Sequence, residues 1–426
     1  MAAILELKQK FMEGYYDGVL EELYVNKAWF ENQRARYAGA LDKFLELYGE
    51  KEVEIYSAPG RTEIGGNHTD HQNGKVLAGS VNLDAVAVVS RREDSTVCIK
   101  SEGYPAMSLD LSELAKVDAE EGTTTALIRG VANGMKTRGY AIGGFDAYVT
   151  SEVLSGSGLS SSAAYEVLMG TIFAGLYNEG NPDSVVIAQI GQEAENVYFG
   201  KPCGLLDQMA CSVGGMVYID FADKKSPKVK KVNAEFNRFG YDLCIVDTKG
   251  SHANLTDEYA AIPGEMRAVA AYFGKEILCQ VDQKEFFEKL TEIRKVTGDR
   301  AVLRAIHWFK ENERVEAEVA ALEKGDVEEF KNVITESGNS SFKYLQNVFA
   351  AKCVAEQGVS LGLAMSELAL KGKGVTRVHG GGFAGTIQAF VPAEMVVEYK
   401  AEMEAVFGEG ACYVLNIRPD GGRKVV

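Results

Sequence analysis

The residues best equipped for chemistry lie between Ser57 and Gly74, where the chain reads Ser-Ala-Pro-Gly-Arg-Thr-Glu-Ile-Gly-Gly-Asn-His-Thr-Asp-His-Gln-Asn-Gly. Arg61, Glu63, Asn67, His68, Thr69, Asp70 and His71 crowd into this stretch, and Pro59, Gly60, Gly65 and Gly66 set its backbone. Convergent donors and acceptors on a rigid turn suit a polyhydroxylated small molecule, because each hydroxyl both donates and accepts. Taken alone, such a segment reads as a polar surface loop. Two glycine-rich segments downstream argue for a site.

The first of these is Leu154-Ser155-Gly156-Ser157-Gly158-Leu159-Ser160-Ser161-Ser162-Ala163-Ala164, placed between a strand-like run and an apolar-faced helix. Glycines admit a phosphate close to the backbone, small hydroxyls add donors, and the helix start points unpaired N–H groups at the anion. No Gly-Lys-Ser/Thr follows, so this is not the Walker sequence. A Gly/Ser turn that only caps a helix has the same composition, so the neighbours matter. Glu195 comes late in the next helix, and Cys203-Gly204-Leu205-Leu206-Asp207-Gln208 follows soon after. Mg²⁺ accompanying a nucleotide prefers hard oxygens and often takes only one or two from protein. Glu195 and a serine of the phosphate loop would supply them, and Asp207 would orient or deprotonate an acceptor hydroxyl. A lone helical glutamate is ordinarily a solvated residue; the surrounding constellation raises Glu195 above that. The other segment, Arg377-Val378-His379-Gly380-Gly381-Gly382-Phe383-Ala384-Gly385-Thr386, leads into the strand-like Ile387 to Val391. Three glycines in a row are costly unless another backbone or a ligand comes close, although a tight inter-strand turn also uses them.

The elements that must hold these groups can be read from periodicity. Residues 1–50 are expected to be helical, from the spacing of Phe11, Tyr15, Leu20 and Leu23, then Tyr37, Leu41, Phe44 and Leu45. A strand Val53 to Tyr56 enters the first motif, which reads as a loop between strand ends. Strands are expected at Lys75–Ser90, Ser95–Ser101, Met107–Leu111, Phe145–Glu152, Met216–Phe221 and Leu243–Asp247, with a lysine-rich turn at Lys224–Lys231. Helices are expected at Thr125–Thr137, Ser161–Glu179 and Ser184–Phe199, the last two separated by Gly180-Asn181-Pro182-Asp183. From Thr256 to about Lys371 the pattern is mostly helical, and strands close the chain near Thr386–Val391 and Cys412–Ile417. A strand-rich first half and a helix-rich second half predict an α+β architecture with two domains, 1–225 and 226–426.

Composition sets outer bounds. At 426 residues the chain has room for two substantial cores. A net charge of -16 argues against nucleic acid or an acidic membrane as partner, so an anionic ligand must be held locally. The first 20 residues lack the apolar core of a signal peptide, and no apolar run is long enough to span a bilayer. Seven cysteines without metal-type spacing read as reduced, mostly buried thiols of a cytoplasmic protein.

The three glycine-rich segments, in this order and spacing, resemble those of the GHMP kinases, and in detail those of the galactokinase branch. The likeness runs from about residue 50 onward. It includes Pro202 to Gln208, Glu311-Asn312-Glu313-Arg314-Val315, and the positions of His252, Glu258 and Tyr259. The resemblance implies a two-domain GHMP kinase fold with the active site between the domains, and transfer of phosphate from ATP to the anomeric hydroxyl of galactose. It further implies ATP phosphates on Gly156, Ser157, Gly158, Leu159, Ser160, Ser161, Ser162 and Ala163, with Mg²⁺ held by Ser162 and Glu195. Gly380, Gly381 and Gly382 would form the third motif. Asp207 would act on the sugar hydroxyl beside Arg61, and Glu63, Asn67, His68, Asp70, Gly204 and Tyr259 would contact the sugar. A monomer is expected, with a homodimer as the alternative.

The chain departs from the family pattern at informative places. Galactokinases usually carry Asn where this chain has Glu63 and Glu where it has Asn67, and His71 replaces a tyrosine. If Glu63 and Asn67 are spatial neighbours, the exchange is compensated and galactose stays the expected substrate. If they are apart, the pocket has lost a carboxylate and a C6-modified sugar such as galacturonate becomes the alternative. Ala384, in place of a glycine, and the missing acidic pair near Phe342-Lys343 mark divergence without indicating a substrate. Galactokinase-like folds also serve as non-catalytic sugar sensors, but Arg61, Ser162, Glu195 and Asp207 are all present here, which favours an enzyme. The His68-Thr69-Asp70 cluster argues against a kinase of non-sugar alcohols.

Overall fold

In the computed structural model, which describes residues 2–153, 159–223, 226–234, 238–251 and 255–426, the expected N-terminal helices form as α1 (Ile4–Met12), α2 (Asp17–Tyr24) and α3 (Phe30–Tyr48), after a short strand β1 (Ala2–Ala3). Phe11, Leu20, Leu23, Tyr37, Leu41 and Phe44 are buried as their spacing predicts, whereas Tyr15 lies in the turn after α1, 71% exposed. The helices pack on Val53, Ile55, Val86, Val88 and Tyr148, one face of a nine-stranded sheet.

That sheet contains β2 (Glu52–Gly65), β3 (Lys75–Arg91), β4 (Thr96–Ser101), β5 (Met107–Asp110), β6 (Phe145–Ser151), β7 (Met216–Asp220) and β8 (Lys228–Val232). Its main path runs β1-β2-β3-β6-β4-β5, with β7 paired to the first part of β3 and β8 to β7. Only β4 and β6 run parallel among the paired strands. Alternation divides β2 and β3 between two cores: Val53, Ile55, Val86 and Val88 face α1–α3, while Tyr56, Ala58, Ala85, Ala87 and Val89 face the opposite side. Both faces are covered, which explains why β3 is buried at every residue from Val76 to Ser90. The opposite side is closed by α4 (Thr124–Thr137), α5 (Ser161–Asn178), α6 (Ser184–Glu193) and α7 (Leu206–Val213). Thr123 caps α4 by accepting from the Ala126 amide, and Asp183 caps α6 by accepting from Val185 and Val186.

The remainder supplies a second layer. It comprises β9 (Tyr241–Asp247), α8 (Thr256–Tyr272), α9 (Gln283–Glu288), α10 (Leu290–Thr297), α11 (Asp299–Lys324), α12 (Val327–Ser340), α13 (Gly358–Leu370), β10 (Val375–His379), β11 (Thr386–Pro392), α14 (Val396–Phe407) and β12 (Cys412–Leu415), after which β13 (Arg423–Lys424) closes the chain in the first sheet. An antiparallel sheet, β10-β11-β9-β12, turns Cys244, Val246, Ile387, Ala389 and Cys412 toward α13 and α14. Its other face, through Leu243, Ile245 and Phe390, joins the core of the first sheet.

Four expectations need correction. β2 does not stop at Tyr56 but continues to Gly65, so half of the first motif is strand. The lysine-rich stretch is not simply a turn, since Lys228–Val232 forms β8, whose lysines suit an edge position. Glu195 sits not in α6 but in a π-helical turn, Ala194–Phe199, that continues from it. The first sheet also does not end at residue 225: β8 belongs to it, and β13 returns to pair with β2. Asp84 of β3 anchors that return. Fully buried, it accepts from Arg36 (2.6 Å), Arg418 (3.0 Å), Tyr24 (2.9 Å) and Ser57. Burial pulls its carboxyl upward, but Arg36 and Arg418 hold it below the usual carboxylate range. All seven cysteines are free; Cys211, Cys244 and Cys412 are buried and the other four half-buried. Among the described residues no helix is long and apolar enough to cross a membrane.

Candidate active site

The extension of β2 is what aims the first motif. Arg61 and Glu63, two residues apart on the strand, project to one side while Thr62 and Ile64 turn toward Gly79 of β3. The backbone amide of Arg61 donates to Leu159 O at 3.1 Å, which docks the end of the phosphate loop on the strand. The Arg61 guanidinium meets Asp207, on the first turn of α7, through two bonds: Nε to Oδ1 at 2.7 Å and Nη2 to Oδ2 at 2.9 Å. Ser160, the residue before α5, has a left-handed backbone and donates its hydroxyl to Asp207 instead of capping the helix. Burial alone would raise the Asp207 carboxyl; Arg61, by charge and hydrogen bonding, together with Ser160 keeps it below the ordinary range. Asp207 is therefore an anion near neutral pH, set at the mouth of an uncapped helix start. Gly156, Ser157 and Gly158 of the loop, and His252, lie outside the described residues.

Next to this pair, Ser162 donates to Glu195 Oε1 at 3.1 Å. The Lys201 ammonium lies 3.2 Å from the same oxygen, and Gln208 Nε2 donates to Glu195 Oε2 at 2.8 Å. Among the described residues no three His, Cys, Asp or Glu side chains gather into a self-sufficient metal cage. A serine hydroxyl and a buried carboxylate are two hard oxygens, the number that Mg²⁺ shared with nucleotide phosphates takes from protein, so the donor set fits. Lys201 and Glu166, which receives the second bond from Gln208, were not evident in the sequence. Neither stands in a glycine motif.

Glu63 and Asn67 are spatial neighbours. Asn67 Nδ2 donates to Glu63 Oε1 at 3.0 Å, and Arg377 Nη2 donates to that oxygen at 3.1 Å. Burial pushes the Glu63 carboxyl up to about 7, against the pull of Arg377, Arg61 and Asn67. Asn67 is fully buried and its amide fully engaged: it also donates to Gly380 O at 2.7 Å and accepts from Ser341 and Asn347. The third motif is clasped against the first by its carbonyls. Asn67 holds Gly380 O, His68 Nε2 donates to Gly381 O at 3.0 Å, and the Tyr259 hydroxyl donates to Gly382 O at 2.7 Å. A carbonyl only accepts, so His68 carries its proton on Nε2. Burial lowers the His68 pKa and pushes Tyr259 up to about 12. Asp70 and Gly204 are adjacent, since a Cβ on Gly204 would come 2.7 Å from Asp70 Oδ2. Every site residue expected from the sequence that lies in described chain thus belongs to one contiguous region. Asn67, His68 and Tyr259 are all spent on carbonyls of the third motif, and the Asn67 side chain has no polar group to spare.

Beneath β2, α11 adds what the sequence did not reveal. Glu318 is buried, and no hydrogen-bond donor among the described residues reaches either of its carboxylate oxygens. It occupies the space left by the missing side chain of Gly65, where a Cβ would collide with the carboxylate.

Comparison with known proteins identifies the family. Residues 42–91 match the galactokinase galactose-binding signature, and residues 126–215 match the GHMP kinases N terminal domain. The galactokinase of Streptomyces coelicolor is 31% identical over 391 residues, covering 90% of this chain and 97% of that protein. The galactokinase of Lactococcus lactis is 29% identical over 384 residues, covering 87% and 92%. The crystal structure of the Lactococcus lactis enzyme complexed with galactose superposes with a TM-score of 0.74 at 27% identity, covering 90% of this chain and 98% of that one. A mevalonate kinase structure, at 16% identity and a TM-score of 0.59, shares the fold.

Proposed function

Because the chain belongs to the galactokinase family of the GHMP kinases, we propose that it transfers the terminal phosphoryl group of ATP to the C1 hydroxyl of galactose, giving galactose 1-phosphate. The observation that carries this reading is the meeting of Arg61, Asp207 and Ser160 at the end of the phosphate loop. An acceptor hydroxyl placed against Asp207 is oriented by an ionised carboxylate. With its pKa held down, Asp207 is a weak base. It fixes the direction of attack and accepts the proton as the bond to phosphorus forms. Arg61 keeps the carboxylate charged and adds positive charge beside the phosphoryl group in flight. No covalent enzyme intermediate is needed, because phosphoryl transfer is mostly positioning and electrostatics.

Ser162 and Glu195 would hold Mg²⁺, which supplies neutralisation of the nucleotide phosphates when bound. Lys201, beside Glu195, adds a cation for the same phosphates. Glu63, His68, Asp70, Gly204 and Tyr259 are assigned to the remaining sugar hydroxyls, with Asn67 holding Glu63 and Gly380 in place. The contact between Glu63 and Asn67 keeps a carboxyl group in this corner, which supports the reading of galactose over galacturonate. ATP consumption with Mg²⁺ should be measured across galactose, galacturonate, N-acetylgalactosamine, glucose and arabinose. Strong turnover with galactose is expected; silence with every sugar would overturn the kinase reading.

A further inference from the structure

Behind Asp207 lie two buried groups that the chemistry above does not use. Gln208 is 0% exposed and Glu166 is 1% exposed. The single Nε2 group of Gln208 donates one hydrogen to Glu195 Oε2 (2.8 Å) and the other to Glu166 Oε2 (2.9 Å). The Oε1 atoms of Gln208 and Glu166 have no hydrogen-bond partner among the described residues. Gly191 of α6 leaves the space: a Cβ there would stand 3.1 Å from Gln208 Cγ and 3.2 Å from Glu166 Oε2. The other oxygen of Glu195 faces Ser162 and Lys201. One side of the Glu195 carboxylate is thus fixed inside the protein and the other is turned to the phosphate loop.

We infer that Gln208 is a positioning residue: its amide ties Glu195 to the turn that carries Asp207, and Glu166 is the anchor that keeps the amide in register. This rests on the reading of Glu195 as a Mg²⁺ ligand. An amide is the group that serves here. It offers two hydrogens to two carboxyl groups, whereas a carboxylate would bring no donor and an apolar side chain would leave both unpaired. The link also spans the two tasks of the site, since residues 207 and 208 are consecutive on α7.

The test uses Mn²⁺ as a paramagnetic probe of the whole protein, with ADP as nucleotide. Free Mn²⁺ is titrated by electron paramagnetic resonance for the wild type, Gln208→Met, Glu166→Gln and Glu166→Met, each checked by melting temperature. Outer partners of metal ligands typically contribute 10- to 100-fold in affinity. Gln208→Met and Glu166→Met should each weaken Mn²⁺·ADP binding about 10-fold, and the double variant should be no weaker than either single. Glu166→Gln should keep binding near wild type, because its side-chain oxygen still accepts from Gln208. A wild type that fails to bind Mn²⁺·ADP would overturn the metal assignment itself. A wild type that binds, with Gln208→Met unchanged, would overturn this inference alone. If Gln208→Met does not fold, equal loss in Glu166→Gln and Glu166→Met would overturn the anchoring role.

Discussion

At the scale of single residues, the site depends on a carboxylate kept charged by its neighbours. Asp207→Asn preserves shape but removes the charge that orients the acceptor, so kcat should fall about 10³-fold while the KM for galactose changes little; steady-state kinetics on the purified variant decides this. The exchange of amide and carboxylate between positions 63 and 67 is the second test. Glu63→Asn leaves Arg377 without its carboxylate, and Asn67→Glu sets two carboxyl groups in contact in a buried corner. The double variant restores one of each. It should recover stability and galactose affinity relative to both singles, with a coupling of about 1 kcal/mol or more in a double-mutant cycle read by urea denaturation. The residue types of the site were legible because the motifs pack them densely in sequence. Their partners were not: Arg377 reaches Glu63 across 314 residues, and no local pattern encodes such a pair.

At the scale of elements, β2 and α11 together hold a buried acid that function does not call on. Burial first, then the negative charge of Glu311, pushes the Glu318 carboxyl up to about 8; Arg377 and Arg314 oppose this, and Glu63 adds to it. In the unfolded chain the same group ionises near its ordinary value of 4.5. Between these values the unfolded state has lost a proton that the native state retains, so the group lowers stability as pH rises, by roughly 1.4 kcal/mol per pH unit. Glu318→Gln removes that slope. Its stability relative to wild type should improve steadily from pH 5 to pH 8 and level off above, as read by urea denaturation at each pH. Helix starts at Thr123 and Asp183 could be read from the chain because capping is local. The continuation of β2 to Gly65 could not, since Pro59 and Gly60 signal a turn and only pairing with β3, through a register shift, makes them strand.

At the scale of the whole molecule, Asp84 joins parts that lie far apart in the chain: Tyr24 and Arg36 from the N-terminal helices, Ser57 from β2, and Arg418 after β12. Asp84→Asn leaves two buried guanidinium groups without their shared anion, and should cost about 4 kcal/mol in urea denaturation while the Arg61–Asp207 contact stays intact. Fold class followed from the distribution of strands and helices, but the interleaving of the two sheets did not, because β13 is only two residues long. The Asp84–Arg418 link also has a consequence in time. A ribosome delivers Arg418 334 residues after Asp84. Until then the nascent first sheet holds Arg36 and Asp84 without Arg418, and the edge of β2 at Tyr56 and Ser57 stands open. Vectorial synthesis thus leaves the first-made layer unfinished, exposed to pairing with other chains and to chaperones, until nearly all the sequence shown here has emerged.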